Sequence, residues 1–484
     1  MRLAPLLVGG VLILAGCHPV GPDYKLPDEA VVNAPTASGA FVGSKEKSVT
    51  IAEAPDKWWT LYRDPRLNGL VEQALKANTE LRVAGANILR AEAALAGTED
   101  AKLPQTKIDA QFGYEQLSGE QYLLDVPLPP MGLYDTGVTI GYQIDLFGQI
   151  RRAIEASRAD EQVAHAAYDA ARITVAAETV RAYVDACAAG HELEVARHSL
   201  DLQRQSRDLT GRLVHAGRGN ALDLTRSQGQ LEQFRANIPQ LEAQHRVALY
   251  RLAVMIGKPP AEYPKSLDNC AREPTLTSLI PVGDGAALLR RRPDIRQAER
   301  QLAAATARIG VATADLYPKI SFALTGGSTG AIDDIFTEPT ERFGIGPLIS
   351  WNFPQQDGVR ARIKGAEASA QAALATFDGK VLTSLREVES ALTVYGRDLD
   401  RLAALRAARD RSAEATAQAD SLYKAGRQDA LNNLDAHRTL AGADQALAQA
   451  ESKVAADQVA LFLALGGGWQ VDAPAGVKQA KISP

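Results

Sequence analysis

The chain has 484 residues, a length that alone would suggest about three ordinary domains. Its 53 Lys and Arg face 58 Asp and Glu, and the formal net charge of −5 excludes the broad basic surface that a nucleic-acid partner needs. Beyond residue 16 no stretch offers about eighteen uninterrupted apolar residues, so any crossing of a bilayer has to use strands rather than a helix.

The N-terminus carries one charge, Arg2, then the apolar run Leu3 to Leu14 and the small residues Ala15 and Gly16 before Cys17. That composition is a secretory signal, too short to span a bilayer. Leu14-Ala15-Gly16-Cys17 is similar to the lipobox of bacterial lipoproteins, which implies cleavage before Cys17 and acyl chains on that residue. Each buried methylene contributes about 0.8 kcal/mol, so several chains hold a protein to a membrane. His18 stands where an aspartate would commonly signal inner-membrane retention, and is compatible with sorting to the outer membrane. We assign 1–16 as signal peptide and 17–70 as a lipidated N-terminal extension. The lipid on Cys17 is the one non-protein group expected; no cofactor is.

The chain then repeats itself once, overriding the three-domain expectation. Leu75, Leu81, Ile88, Leu95, Pro104 and Ile108 recur at one constant offset as Leu289, Ile295, Leu302, Ile309, Pro318 and Phe322. At a slightly shorter offset Ile154, Gln162 and Asp169 recur as Ile363, Gln371 and Asp378. Leu213, Gly217, Arg218, Leu222, Leu231 and Gly257 recur as Leu422, Gly426, Arg427, Leu431, Leu440 and Gly466. Repeat 1 covers 71–258, a linker 259–285, repeat 2 286–467, and a C-terminal tail 468–484. Each repeat reads helix, strand, strand, very long helix, turn, helix.

In repeat 1 the strands are expected over 105–118 and 134–147. Ile108, Ala110, Phe112 and Tyr114 alternate with Asp109, Gln111, Gly113 and Glu115, and Val138, Ile140, Tyr142 and Ile144 alternate with Thr139, Gly141 and Gln143. Repeat 2 echoes this over 319–327 and 342–353. A soluble sheet with one face on a core would alternate in the same way, but the polar, alanine-rich neighbouring helices have few bulky residues to cover it. A membrane would cover it instead. The long helix, about 148–216, would extend roughly 100 Å. Its alanines suit close antiparallel packing on a return helix, about 221–256, which Pro239 should kink or loosen. Four strands cannot close a barrel in lipid, so several chains must contribute to one.

Several local patterns resemble known sites. Gly326-Gly327-Ser328-Thr329-Gly330 fits a nucleophile elbow, but no helix pattern follows and Ile332 to Pro339 read as loop, so we reject a catalytic serine. His191, Glu194 and His198 share a helical face, yet Val195 occupies the position of the second histidine of H-E-x-x-H; we expect a solvated face and no metal. Gly217-Arg218-Gly219 lacks the third glycine of a nucleotide loop. Met131 and Met255 are the only methionines after the signal, too few for a metal relay. For Cys187 and Cys270 we expect two separate buried thiols, although an oxidising compartment permits a disulfide.

Motifs distributed along the mature chain carry a family resemblance. They are Val20-Gly21-Pro22-Asp23-Tyr24, Trp58-Trp59 with Asp64-Pro65, Asp145-Leu146-Phe147-Gly148, Arg290-Arg291-Arg292-Pro293-Asp294-Ile295 and Ala464-Leu465-Gly466-Gly467-Gly468-Trp469. In these the chain resembles the TolC-like outer membrane factors, and within them the NodT/OprM-type efflux lipoproteins. The resemblance implies a mainly α protein with a membrane β-barrel: four strands per chain, a trimeric twelve-stranded barrel, and an α-helical periplasmic tunnel continuing it. It implies no enzymatic activity. Cargo would come from an inner-membrane efflux transporter through a periplasmic adaptor protein. By motif position Asp223 and Tyr423 match a gate pair, and Leu431 and Asp435 the innermost constriction. Arg212, Gly217, Arg218, Gly426 and Arg427 fall in the helix-helix turns, Arg212 to Asp223 and Ser421 to Asp435, that would meet the adaptor. Gln428 and Asn432 depart from relatives with an arginine and an aspartate there, which implies a gate with fewer charged bonds.

Overall fold

The computed structural model describes residues 18–467 apart from 47, 121, 122, 277 and 355. The signal segment, Cys17 and the 468–484 tail therefore lie outside the described residues. The principal elements are α1 (Pro65–Ala77), α2 (Thr79–Glu99), β1 (Gln105–Glu115), β2 (Met131–Ile144), α3 (Gln149–His215), α4 (Ala221–Met255), α5 (Pro293–Ala314), β3 (Lys319–Ala331), β4 (Glu341–Ser350), α6 (Asp357–Lys424) and α7 (Ala430–Ala464). The repeated order of strands, long helix and return helix is as expected. Each repeat contributes to both of two compact units. One takes Asn87–His165, Gln297–Phe377 and the segment up to Pro27; the other takes Asp28–Ala86, Ala166–Arg296 and the chain from Asp378 onward.

The first unit holds one antiparallel sheet of order β1-β2-β3-β4. Ile108 lies opposite Val138, Ile140 opposite Leu324, and Leu324 opposite Ile345, so the alternation of the four strands adds up to one apolar face. That face is uncovered: Ile108, Phe112, Val138, Ile140, Tyr142, Phe322, Leu324, Phe343 and Ile345 are all exposed, Phe343 to 92%. The opposite face carries Asp109, Gln111, Asp135, Thr139, Ser321, Thr325 and Arg342, with Arg342 bonded to Asp135. Strands β1 and β4 are edges among the described residues, and Pro347 sits in β4, where an edge tolerates a residue without an N–H.

The strand ends differ from the sequence expectation for local reasons. β2 stops at Ile144 because Asp145 is used as a cap, its two carboxylate oxygens accepting from the Ile150 and Arg151 N–H groups at 2.9 Å each, while Gly148 turns the chain at φ +79°. β3 runs on to Ala331, past the expected end at 327. Its glycine run lets the strands approach: a Cβ on Gly327 would lie 2.3 Å from the Thr136 carbonyl oxygen.

The second unit is built around a core of Trp58, Trp59, Tyr62, Leu67, Val71, Tyr183, Leu249, Leu252 and Phe462. Trp58 stacks on Phe462 with ring centroids 4.6 Å apart. Burying side chains of this size contributes about 1.5–3 kcal/mol each. Asp64 caps α1, accepting from the Arg66 N–H at 2.9 Å, and also accepts from the Tyr183 hydroxyl at 2.5 Å. Arg292 donates to Asp294, Glu387 and the Ala464 carbonyl at 2.8, 2.7 and 3.0 Å, tying the start of α5 to α6 and α7. Helix α4 runs on through Pro239, which does not end it. One missing N–H in 35 residues is outweighed by the tertiary packing of Leu231, Leu241, Leu249 and Leu252.

Candidate functional site

Two helix turns, both in the second unit, carry the residues singled out for gating. They share one geometry. After α3, Gly217 adopts φ +67°, its N–H donating to the Val214 carbonyl at 3.0 Å and that of Arg218 to Leu213 at 2.8 Å. After α6, Gly426 adopts φ +67°, its N–H donating to Tyr423 at 3.0 Å and that of Arg427 to Leu422 at 2.9 Å. This is a left-handed glycine cap with two bonds back into the last helical turn. The next helices then start from different caps. Asn220 accepts from the Leu222 N–H at 2.9 Å and Asp429 from the Asn432 N–H at 2.8 Å.

The side chains are placed as follows. Asp223 lies in the first turn of α4, half-buried, with Arg226 at 3.8 Å. Tyr423 lies in the last turn of α6, half-buried; within the chain Asp223 pairs with Arg226 rather than with Tyr423. Leu431 is 52% exposed, and Asp435 one turn later is exposed and bonded to Arg438. Arg212 is in the last turn of α3. The sequence missed a polar clasp beside the second turn: His437 Nε2 lies 2.8 Å from Asp420. A histidine and an aspartate on opposite sides of a predicted turn were the available signal.

A strap of the N-terminal segment docks in the first unit. The Val20 N–H donates to the Phe147 carbonyl at 3.0 Å, and the buried Arg152 donates to the Val20 and Gly21 carbonyls at 3.1 and 3.2 Å and to Asp23 at 2.7 Å. That guanidinium holds the Asp23 carboxyl below its ordinary value. Cβ atoms on Gly148 and Gly21 would lie 2.5 Å from Pro19 and 2.4 Å from Gly310, so both glycines are notches for the strap. The chain just after Cys17 is thereby fixed to the join between β2 and α3.

Cys187 of α3 and Cys270 of the 259–285 linker form a disulfide, which corrects the expectation of two separate thiols. Helical rise fixed the height of Cys187 but could not give the path of the chain after α4. That path returns across α3 at Gly190, where a Cβ would lie 1.9 Å from the Cys270 carbonyl oxygen. Closing a loop of 83 residues contributes about 4.5 kcal/mol on the loop-entropy account.

The rejected sites have structural explanations. The Ser328 hydroxyl sits inside the sheet, bonded to the hydroxyls of Tyr134 and Thr340 at 2.5 and 2.7 Å, with no histidine or carboxylate among its bonding partners. His191 pairs with Glu273 at 3.2 Å, not with His198. Glu92, Glu161 and His165 bring three donor atoms within 4.8 Å of one another. His165 Nε2 to Glu161 Oε1 at 2.9 Å is an ordinary helical i,i+4 pair on a half-exposed surface.

No helix among the described residues is long and apolar enough to cross a membrane. Comparison with known proteins gives a consistent outcome. Residues 70–258 and 286–467 match the sequence model of the family described as Outer membrane efflux protein. The chain is 30% identical to Nodulation protein T of Rhizobium leguminosarum bv. viciae, covering 97% of this chain and 94% of that protein. It is 26% identical to the probable outer membrane lipoprotein SilC of Salmonella typhimurium, over 97% and 99% of the two chains. Among solved structures it is similar to the outer-membrane channel OprN, at 37% identity and TM-score 0.86, covering 93% of this chain and 99% of that one.

Proposed function

The chain belongs to the outer membrane efflux protein family, and from that membership we propose a mechanism in which it serves as the outer-membrane channel of a tripartite efflux pump, conducting passively and catalysing nothing. The observation that carries this reading is the uncovered apolar face of the four-stranded sheet, backed by a polar face and flanked by two open edges. In lipid the apolar face is solvated by acyl chains, and the edges have to be paired. Copies of the chain pair them. Multiples of four strands give eight, twelve or sixteen, and only the larger barrels leave a water-filled lumen. A homotrimer with twelve strands is the reading that the family resemblance favours.

Acylated Cys17 anchors each copy in outer-membrane lipid, a reading supported by the segment after it, which Arg152 holds at the strand-to-helix join. The helix-helix turns around Arg212, Gly217, Arg218, Gly426 and Arg427 meet a periplasmic adaptor, which links the channel to an inner-membrane transporter. At rest Asp223 accepts a hydrogen bond from Tyr423 of a neighbouring helix pair, and three copies of Leu431 and Asp435 narrow the axis and ring it with negative charge.

The direct test is reconstitution of the purified mature protein in planar bilayers. Discrete single-channel currents are expected. A protein that inserts and carries no current under any voltage would overturn the channel reading and leave a structural lipoprotein.

A further inference from the structure

Three elements of the second unit converge on one hydroxyl. Ser452 Oγ of α7 lies 3.1 Å from Glu192 Oε1 of α3, 3.2 Å from Glu273 Oε1 of the linker and 3.0 Å from the Ala448 carbonyl oxygen. A serine hydroxyl has one proton, so it can serve only one of these three acceptors. The other oxygens of the two carboxylates are already engaged: Gln445 Nε2 donates to Glu192 Oε2 at 3.3 Å, and His191 Nδ1 lies 3.2 Å from Glu273 Oε2. The Glu273 side chain is 8% exposed. With both glutamates ionised, two negative charges and the lone pairs of the hydroxyl meet in a half-buried place with one cation, His191, beside them. Hydrogen-bond counting asks for one more proton.

We propose that Glu192, Ser452 and Glu273 form a proton-binding site, and that taking up one proton from solvent fastens the 259–285 linker to α3 and α7. The proton resides on Glu192 Oε1 and is donated to Ser452 Oγ. Ser452 then donates its own proton to Glu273 Oε1, releasing the Ala448 carbonyl, while His191 donates to Glu273 Oε2. Every hydrogen bond in that chain has one donor and one acceptor. The surrounding charges are Glu194 on α3 and Glu451 on α7, the latter held by Arg406 of α6 at 2.8 Å; on the α4 side His245 is turned to the Ala186 carbonyl at 2.8 Å. The carboxylates of Glu273, Glu194 and Glu451 all act to raise the His191 pKa, and that of Glu273 raises the Glu192 pKa, which favours proton uptake.

Burial, then the Glu273 charge, raises the Glu192 pKa against the lowering pull of the Ser452 bond, and the Glu273 hydrogen bond raises that of His191. The folded protein therefore binds more protons than the unfolded chain. The clasp is fully made below the ordinary glutamate range and weakens as pH rises through the raised Glu192 value.

Hydrogen exchange of the full-length protein in detergent tests this between about pH 4.5 and about pH 6.5, a range in which the Glu273 hydrogen bond favours the charged form of His191. After correction for intrinsic rates, amides of the Cys270 to Glu273 segment should be several-fold more protected at the acidic end. Glu192→Gln, whose amide donates to Ser452 at every pH, should hold the high protection throughout. Ser452→Ala should hold the low protection throughout. Wild-type pH dependence retained in either variant would overturn the proposal. If Glu192→Gln does not fold, Ser452→Ala decides alone. Neither readout depends on conductance, so the channel and the proton site can fail separately.

Discussion

Single residues decide how firmly the turns are held. Within the chain Asp223 faces Arg226 at 3.8 Å and Asp435 is bonded to Arg438, so neither carboxylate is without a counter-charge before assembly. In the proposed gate, a Tyr423 hydroxyl reaching Asp223 from a neighbouring helix pair would add one hydrogen bond of about 1–3 kcal/mol, enough in three copies to bias closure without locking it. Tyr423→Phe combined with Asp223→Ala should therefore raise single-channel conductance in planar bilayers, and a double variant conducting like wild type would misplace the gate. Asp435→Ala should act differently. It removes a like-charge ring that attracts cations and should lower cation preference measured by reversal potential, with conductance changed less. These positions were legible only through the family resemblance, since any one of them is also an ordinary residue of a solvated turn. The Glu192, Ser452 and Glu273 cluster was not legible at all, because its members lie in three elements far apart in sequence.

At the scale of elements, small residues mark where segments touch. Gly190 is one of two glycines between Gly148 and Ala216, and nothing in the sequence explains it beyond tolerance in a long helix. The structure supplies one, because the linker crosses there and its Cys270 carbonyl occupies the space of a side chain. Gly190→Ala should destabilise the second unit by about 1–3 kcal/mol as the linker is pushed away. It should also leave Cys187 and Cys270 reactive to a thiol label in protein kept from oxidants after folding. Full disulfide formation with an unchanged melting temperature would contradict this placement. The strands were legible because a period of two leaves few alternatives, whereas the reach of β3 was not. The expected end at 327 fell short because Ser328, Thr329, Gly330 and Ala331 lack the bulky alternation of a strand, yet they pair with β2 from Thr136 to Leu133. The disulfide escaped prediction for a related reason: a helical rise gives heights, and a linker rich in proline and polar residues gives no direction.

For the whole molecule, the two repeats supply two hairpin strands each, and their register places every bulky apolar strand residue named above on one face. Among the described residues the apolar side chains named above stay exposed on that face, and nothing pairs with the outer edges of β1 and β4. A sheet of this kind is unsatisfied as a monomer in water, and equally so as a monomer in lipid, where an unpaired backbone group costs several kcal/mol. On the proposed reading, assembly is thus part of the fold rather than added to it. Native mass spectrometry of the mature protein released from detergent measures this directly. We expect a species of three acylated chains that keeps its strand content by circular dichroism, with no stable lower state. A monodisperse monomer with full strand content would contradict it.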